Sequence, residues 1–464
     1  METSKKMGWG YGLGSMMRVG ENLFGFYLIY YLSTVAGISP AVAGAIGGSA
    51  LLVGAIASPV IGYFSDRSRS RFGRRRPFMI STVVPAMVLL TLLFTSVDLG
   101  EATGIYYLVI ALLFALTYYA FLVPYDALGA SLTTDYNQRT TIRSICTAIL
   151  YVSVLVGGTM VVQVQAALNG LMSQTTAWSV AVILCCAVPG ALFGVIAWRV
   201  TRSRETATVT HAASVESTPQ SIRSALSVFT IQPVWAVLIW GLVYFFANAV
   251  LAGSLIYLGV FVLGLSEGVA STLFVVSTVT TLIAVIPGNM LAKKVGKRTA
   301  VFIGMGVFVA ASLTMLVVGL EGYLAGAVIT AAFGVCNSLV LSCSYAMIYD
   351  LREVTQLRLG EDKTAVILGW FSLVIGASGA FAAMTIGAVL QTVGFDPTAE
   401  PTPLVIDAIV ALQTWVPAGI MLLSGAALLF WNINARSHAQ MAQELQLRSD
   451  AVEPVTANPQ PSDL

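Results

Sequence analysis

Charge is what this chain has least of. Asp, Glu, Lys and Arg make up only 10% of its 464 residues, where a soluble domain carries about 25%. That deficit excludes an ordinary globular protein. Histidine is almost missing: His211 and His438 are the two. Both fall in polar segments, so histidine is no proton relay within an apolar run. Cys146, Cys185, Cys186, Cys336 and Cys343 lie inside apolar stretches. They lack the spacing of a disulfide framework or a metal site and read as small apolar filler. Long polar segments are scarce too. Residues 201–229 and 432–464, rich in Ser, Thr, Ala and Gln, read as a flexible loop and a flexible tail. They leave no room for a nucleotide-binding domain, and no GxxxxGKS or GxxxxGKT loop occurs, which argues against ATP as the energy source. No nucleophile–His–acid set or metal cluster is available within the apolar runs, so neither an enzyme, a cofactor nor a nucleic-acid partner is expected.

What the chain has instead is length in apolar runs. Hydrophobic residues make up 57% and mean hydropathy is +0.84. Runs of roughly bilayer length occupy about 11–36, 41–63, 78–96, 105–129, 145–166, 177–198, 234–260, 268–290, 299–318, 323–347, 365–393 and 405–431. In lipid each must be helical, because no water satisfies the backbone there. The fold class expected is therefore an all-α membrane protein of twelve transmembrane helices. The first run follows Lys5 and Lys6 but is too long for a signal core and holds Arg18 and Glu21, so it reads as a retained span.

Of the 24 Lys and Arg residues, Arg18 alone falls deep inside an apolar run. The rest occupy the tails and alternate loops, densest at Arg67, Arg69, Arg71, Arg74, Arg75 and Arg76 and again at Lys293, Lys294, Lys297 and Arg298. The loops near 37–40, 97–104, 168–175, 264–268, 319–322 and 394–403 carry none. Short basic loops stay cytoplasmic. Both termini are thus expected inside, in a cell membrane such as the bacterial inner membrane.

A repeat underlies the pattern. The loop after the second run reads Gly62 to Asp66 and Arg67, then Gly73, Arg74 and Arg75. The loop after the eighth reads Gly288 to Lys293 and Lys294, then Gly296, Lys297 and Arg298. Gly62 and Gly288 are 226 residues apart, close to half the chain. The organisation expected is a first six-helix bundle over 1–200, a central loop over 201–229, a second bundle over 230–431 and a tail over 432–464. Two parallel halves of this kind are the plan of major facilitator transporters. The loop resembles the signature loop of that superfamily, in which Asp66, Arg67, Gly73, Arg74 and Arg75 would form a conformational switch; a topology signal alone is the other reading.

The longer motif SDRSRSRFGRRRPF at 65–78 resembles the glycoside–pentoside–hexuronide:cation symporter family, which includes melibiose-type and sucrose-type carriers. YGLGSMMR at 11–18, PYDALGASLTTDYNQRTTI at 124–142, YDLREVTQLRLGEDKTA at 349–365 and GAFAAMTIGAVLQTVGF at 379–395 resemble further stretches of it. The departures fall at that family's ion site. Where melibiose-type carriers hold two span-two aspartates, Gly54 and Ser58 stand here, and Leu122 replaces their span-four aspartate. Thr147 and about Gly376 match their span-five arginine and span-eleven lysine. The resemblance therefore implies the architecture, with Na⁺ improbable as coupling ion and H⁺ preferred.

The few polar groups at depth are the candidate site. Arg18, Glu21 and Asn22 share one face of the first helix by their i, i+3 and i+4 spacing. At ~1.5 Å per residue Arg18 approaches the bilayer centre, where an unpaired charge costs roughly 2.5–3.5 kcal/mol. Either they form a central site, with Arg18 anchoring solute and Glu21 taking the proton, or they are a self-neutralising structural pair. Asp126, beside Tyr125 and after Pro124, is the second candidate proton carrier, with a helix-end salt bridge as its alternative. Tyr119, Tyr244, Asn248, Asn337 and Trp370 complete the candidate solute site, although each also suits helix–helix contacts. The function expected is a secondary active transporter of a glycoside-like solute by proton-coupled symport, as a monomer. The alternative is a facilitator or exporter of another small organic solute or amphiphile, such as an organic acid, a lysolipid or a drug-like compound.

Overall fold

The computed structural model describes residues 2–68, 70, 73–132, 136–201, 226–319 and 322–433, with a few residues between 437 and 447. The side chains of Asp66 and Arg139, the loop residues Arg69 and Arg71, and most of the expected flexible loop and tail, with His211 and His438, lie outside the described residues.

Among the described residues every regular element is helical. In the first half α1 comprises Glu2–Gly12, a tighter 3₁₀ stretch Leu13–Arg18, and Val19–Thr34. α2 is Pro40–Arg67, α3 is Arg76–Leu93 and α4 is Thr103–Ser131. α5 joins Tyr136–Leu155 to Val161–Leu168 through a π turn, and α6 joins Gln174–Val182 to Val188–Val200 through another. In the second half α7 is Gln232–Tyr257, continued by a π turn, α8 is Glu267–Val295, and α9 is Lys297–Val318. α10 is Gly322–Leu359 and α11 is Thr364–Thr392. α12 is broken at Thr414 into Pro403–Gln413 and Trp415–Leu428. By length and apolarity, 11 helices qualify as membrane spans among the described residues. α1 is the twelfth, its hydropathy diluted by Arg18, Glu21, Asn22 and its tyrosines.

Three helices run past the ends that hydropathy sets. α1 begins nine residues before the apolar run at 11. α10 continues to Leu359, so the stretch from Tyr349 read as a loop is helical; Leu351, Val354 and Thr355 are buried there and extend the packed face. α5 starts at Tyr136, which puts Arg143 on a helix. Hydropathy measures the thickness of the lipid, and helices can continue beyond it wherever one face still packs.

The helix ends follow local chemistry. Ser173, Ser266 and Thr402 cap α6, α8 and α12 by accepting from backbone N–H groups three residues on. Gly73 and Gly296 take φ values of +102° and +88°, which a side chain would oppose. Gly296 alone separates α8 from α9, and Gly73 makes the corresponding turn of the first half.

The basic loops define one end of the molecule, here the basic end; the opposite is the far end. Basic side chains tie the first end together in matching fashion. Arg75 donates to the Ala127 carbonyl of α4 at 2.7 Å, and Arg76, 2% exposed, donates to the Trp198 carbonyl of α6 at 2.9 Å. In the second half Lys297 bonds Asp350 of α10 at 2.6 Å, and Arg298 reaches the Trp431 carbonyl after α12 at 3.3 Å. The repeat inferred from the loops is thus also a repeat of anchoring contacts.

The halves meet toward the far end. There α2 and α11 touch backbone to backbone: a Cβ on Gly44 would lie 2.6 Å from the Ala383 carbonyl oxygen, and one on Gly387 would lie 2.3 Å from that of Pro40. Small residues permit this approach. Thr159 and Gln163 of α5 donate to the Ser271 and Gly268 carbonyls of α8, and Ser33 of α1 pairs with Tyr257 of α7 at 2.8 Å. One apolar cluster runs across this junction, from Tyr27 and Trp178 to Phe274 and Ile386, while a second around Trp240 and Met347 belongs to the second half. A Cβ on Gly376 would lie 2.6 Å from Ala55, while one on Gly369, two turns nearer the basic end, would meet nothing within 4 Å, so the packing at this position is looser toward the basic end.

Candidate substrate and coupling site

Glycines place Arg18. A Cβ on Gly12 would lie 2.5 Å from the Ile145 side chain, and one on Gly14 would lie 2.5 Å from the Tyr125 ring. Their absence of side chain lets the 3₁₀ stretch of α1 settle against α4, α5 and α6. Tyr11 and Tyr125 stack there with centroids 4.5 Å apart. The arginine that ends the stretch then points at α4, where Pro124 interrupts the backbone bonding just before Asp126.

Arg18 Nη2 donates to Asp126 Oδ2 at 2.8 Å, while its Nη1 lies 3.5 Å from Glu21 Oε2. Tyr118 donates to the same Glu21 oxygen at 2.7 Å. One guanidinium thus faces two carboxylates, a cluster of formal charge −1 that a single proton neutralises. The side chains of Glu21 and Asp126 keep 37% and 42% exposure, so neither carboxylate is fully buried. Both structural alternatives raised by the sequence contribute to this arrangement: Arg18 pairs with Glu21 on its own helix and more closely with Asp126 on another. Counted from Thr34 at the far end, Arg18 lies roughly 24 Å along α1, on the basic-end side of the centre of a ~30 Å core. From the second half, Tyr345 of α10 lies within the electrostatic reach of Arg18, Asp126 and Arg143. Arg143 had read as a loop residue, and only its place on α5 reveals it beside the cluster.

Tyr119 packs on α2. A Cβ on Gly54 would lie 2.3 Å from the Tyr119 ring, and Ser58 donates back to the Gly54 carbonyl at 2.9 Å. The space where an acidic side chain at position 54 would extend is therefore filled by an aromatic ring.

Farther from the basic end, at the junction of the halves, is a cavity of about 220 Å³. Phe26 and Tyr151 line it from the first half, and Asn248, Phe274, Asn337 and Gln413 from the second. None of its lining residues is charged. Asn248 donates to Asn337 at 3.2 Å, and Gln413 donates to the Leu251 carbonyl and to Ser254, each at 2.7 Å. Asn22 donates to Ser153 at 3.2 Å, beside Tyr151, and stands between cavity and ion cluster. Of the solute-site candidates, Asn248 and Asn337 meet in this cavity, with Asn22 one helical turn from Phe26. Tyr244 is buried in the second-half core against Trp240 and Cys336. Trp370 lies near the basic end of α11, edge-on to Phe229 at 5.1 Å. Gln413, unremarked in the sequence, joins the cavity because α12 breaks directly after it.

In the candidate switch loop Gly73 makes its turn, Arg67 lies over the Tyr63 ring at 3.9 Å, Arg74 is half-buried and Arg75 is anchored as above.

The architecture agrees with what this chain is similar to. It is 24% identical to the symporter YjmB of Bacillus subtilis over 97% of this chain and 96% of that protein. It is 25% identical to the inner membrane symporter YicJ of Escherichia coli over 91% and 90%. Its fold resembles the crystal structure of the nucleoside transporter NupG with a TM-score of 0.67, at 11% identity, over 92% of this chain and all of that one. A family model described as MFS/sugar transport protein matches residues 10–435. With twelve helices in two related bundles and a cavity at their junction, the chain belongs to the MFS/sugar transport protein family, as a divergent member of the glycoside–pentoside–hexuronide:cation symporter type.

Proposed function

We propose that the protein is a proton-coupled symporter of a neutral, glycoside-like solute, working by alternating access as a monomer. The observation that carries this reading is the adjacency, along one face of α1, of an uncharged cavity and an ion cluster of charge −1. Amides at Asn248, Asn337 and Gln413 suit hydroxyl groups, and the Phe26 and Phe274 rings suit the C–H face of a sugar. Glu21 is the preferred proton acceptor because its contact with Arg18 is longer than that of Asp126. A proton on Glu21 neutralises the cluster, and Asn22, the next residue, links that change to the cavity wall through Ser153. One charge moved inward gains ~2.3 kcal/mol per 100 mV of membrane potential.

Retention of the basic loops in the cytoplasm makes this the inward-open form, with both termini inside and the protein in the inner membrane. The filled space beside Gly54 supports H⁺ over Na⁺. Closure of the halves at the basic end would re-form contacts of the 65–78 loop in the outward-open form, the switch role assigned to Asp66, Arg67, Gly73, Arg74 and Arg75.

Thermal unfolding of the purified protein with neutral glycosides, organic acids and lysolipids tests the solute class. Ligand at 100 times its Kd stabilises by about 2.7 kcal/mol. A glycoside should raise Tm in the wild type and not in Asn337→Ala. Stabilisation by an acid or a lysolipid, with none by glycosides, contradicts the reading.

A further inference from the structure

At the far end a carboxyl group bridges the halves, and neither the ion cluster nor the cavity uses it. Glu267 begins α8 in the second half. Its Oε1 accepts from Tyr30 of α1 at 2.8 Å and from Gln174 of α6 at 3.2 Å, both in the first half. Its Oε2 is buried with no hydrogen-bond partner among the described residues. Gln165 of α5 stands within hydrogen-bonding reach of this carboxyl, yet its own Oε1 is likewise buried without a donor, its amide nitrogen being given to Asn169 at 3.1 Å. The titratable groups facing the carboxyl are Tyr27 and Tyr30 of α1, with Tyr257 of α7 edge-on to Tyr30 at 5.3 Å. No Lys, Arg or His occurs in the adjoining stretches 168–175 and 264–268.

We infer that Glu267 is a second proton-binding site, loaded as the far-end gate closes. When the halves part at that end, water solvates the carboxylate and it ionises freely. When they close, the carboxylate loses that water and gains two donors, both on Oε1. Burying Oε2 as a charged acceptor without a hydrogen-bond partner is costly, and a proton there removes the charge. Proton binding and gate closure therefore favour one another, as linkage requires. The sign is fixed: lower pH stabilises the closed far end. The inference stands on alternating access alone and does not depend on which solute the cavity takes or which carboxylate of the central cluster couples transport.

The test reads the gate directly, without transport. Spin labels at Leu171→Cys and Leu324→Cys, exposed far-end positions of the two halves, report the gate distance in full-length protein in nanodiscs from pH 8 to pH 5. The five native cysteines are buried. The closed fraction should rise as pH falls, with the closed-to-open ratio changing by about tenfold if the closed form binds the proton about tenfold more tightly. Glu267→Gln, a fixed neutral side chain, should remove that component and leave the gate predominantly closed at pH 8. Tyr30→Phe, which removes a donor to the carboxylate, should move the midpoint to higher pH. A Glu267→Gln protein with the wild-type pH response overturns the inference, as does a Tyr30→Phe midpoint that stays in place.

Discussion

The hydroxyls of Tyr11 and Tyr125 each donate to the other's backbone carbonyl, at 2.7 and 2.8 Å. This reciprocal clasp fastens α1 to α4 one residue before Asp126 and seven residues before Arg18. The Arg18–Asp126 pair inherits its register from it. Gly129 makes the clasp possible, since a Cβ there would lie 2.2 Å from the Tyr11 hydroxyl.

Gly129→Ala should therefore displace Tyr11 and loosen the ion cluster. Loss of the buried bond and the accompanying strain should cost roughly 1–3 kcal/mol, seen as a lower Tm in detergent. Tyr11→Phe, which removes one hydroxyl without adding bulk, should lie at the small end of that range.

Arg18→Ala leaves Glu21 and Asp126 facing each other without a cation. Because both carboxylates are partly exposed, the cost should fall below that of breaking a fully buried pair, at about 1–3 kcal/mol. A double-mutant cycle with Asp126→Asn should show a favourable coupling between Arg18 and Asp126. Additivity of the two changes would mean that the 2.8 Å contact contributes nothing to stability.

Lys297 and Asp350 offer a second cycle, at the basic end of the second half. Lys297→Met or Asp350→Asn alone breaks the ion pair and leaves one charge of it in place, while the double variant removes both charges. The double variant should be more stable than the sum of the single losses implies, by about 1–2 kcal/mol, in chemical or thermal unfolding.

Gly387→Val should pry open the α2–α11 seam, because even a Cβ at that position lies 2.3 Å from the Pro40 carbonyl oxygen. The far end should then open at the expense of the form described above, in which the halves meet there. Faster labelling of an introduced far-end cysteine in the variant than in the wild type checks this. Equal rates would show that the seam yields elsewhere.

The membrane fold was legible because lipid tolerates few solutions: apolar runs gave the spans, basic loops the two ends, and the spaced Gly and basic pairs the repeat. The stretches 11–18 and 124–132, noted separately in the sequence, fold into one object, the Tyr11–Tyr125 clasp with Arg18 and Asp126 beside it. Spacing put Glu21 and Asn22 on the face of Arg18, but periodicity within one helix says nothing of which helix lies opposite. That is why Tyr118, Arg143 and Tyr345 were missed around the cluster. Glu267 was passed over because it sits at a span boundary, where an acidic residue ordinarily meets water; its burial arises only when the first half closes upon it. Trp370 was named for chemistry that suits sugars, yet packing places it near the basic end against Phe229, while Tyr244 stands behind the cavity wall, against Trp240 and Cys336 and within reach of Asn248.

Proton movement driven by solute tests the central account most directly. Proteoliposomes containing the protein and a trapped pH dye, with no imposed gradient, receive a glycoside that stabilises it. The wild type should acidify or alkalinise the lumen in step with solute entry or exit, and Glu21→Gln should carry solute down its gradient while moving no protons. Solute flux in the wild type without any pH change, or an unchanged proton signal in Glu21→Gln, would contradict it.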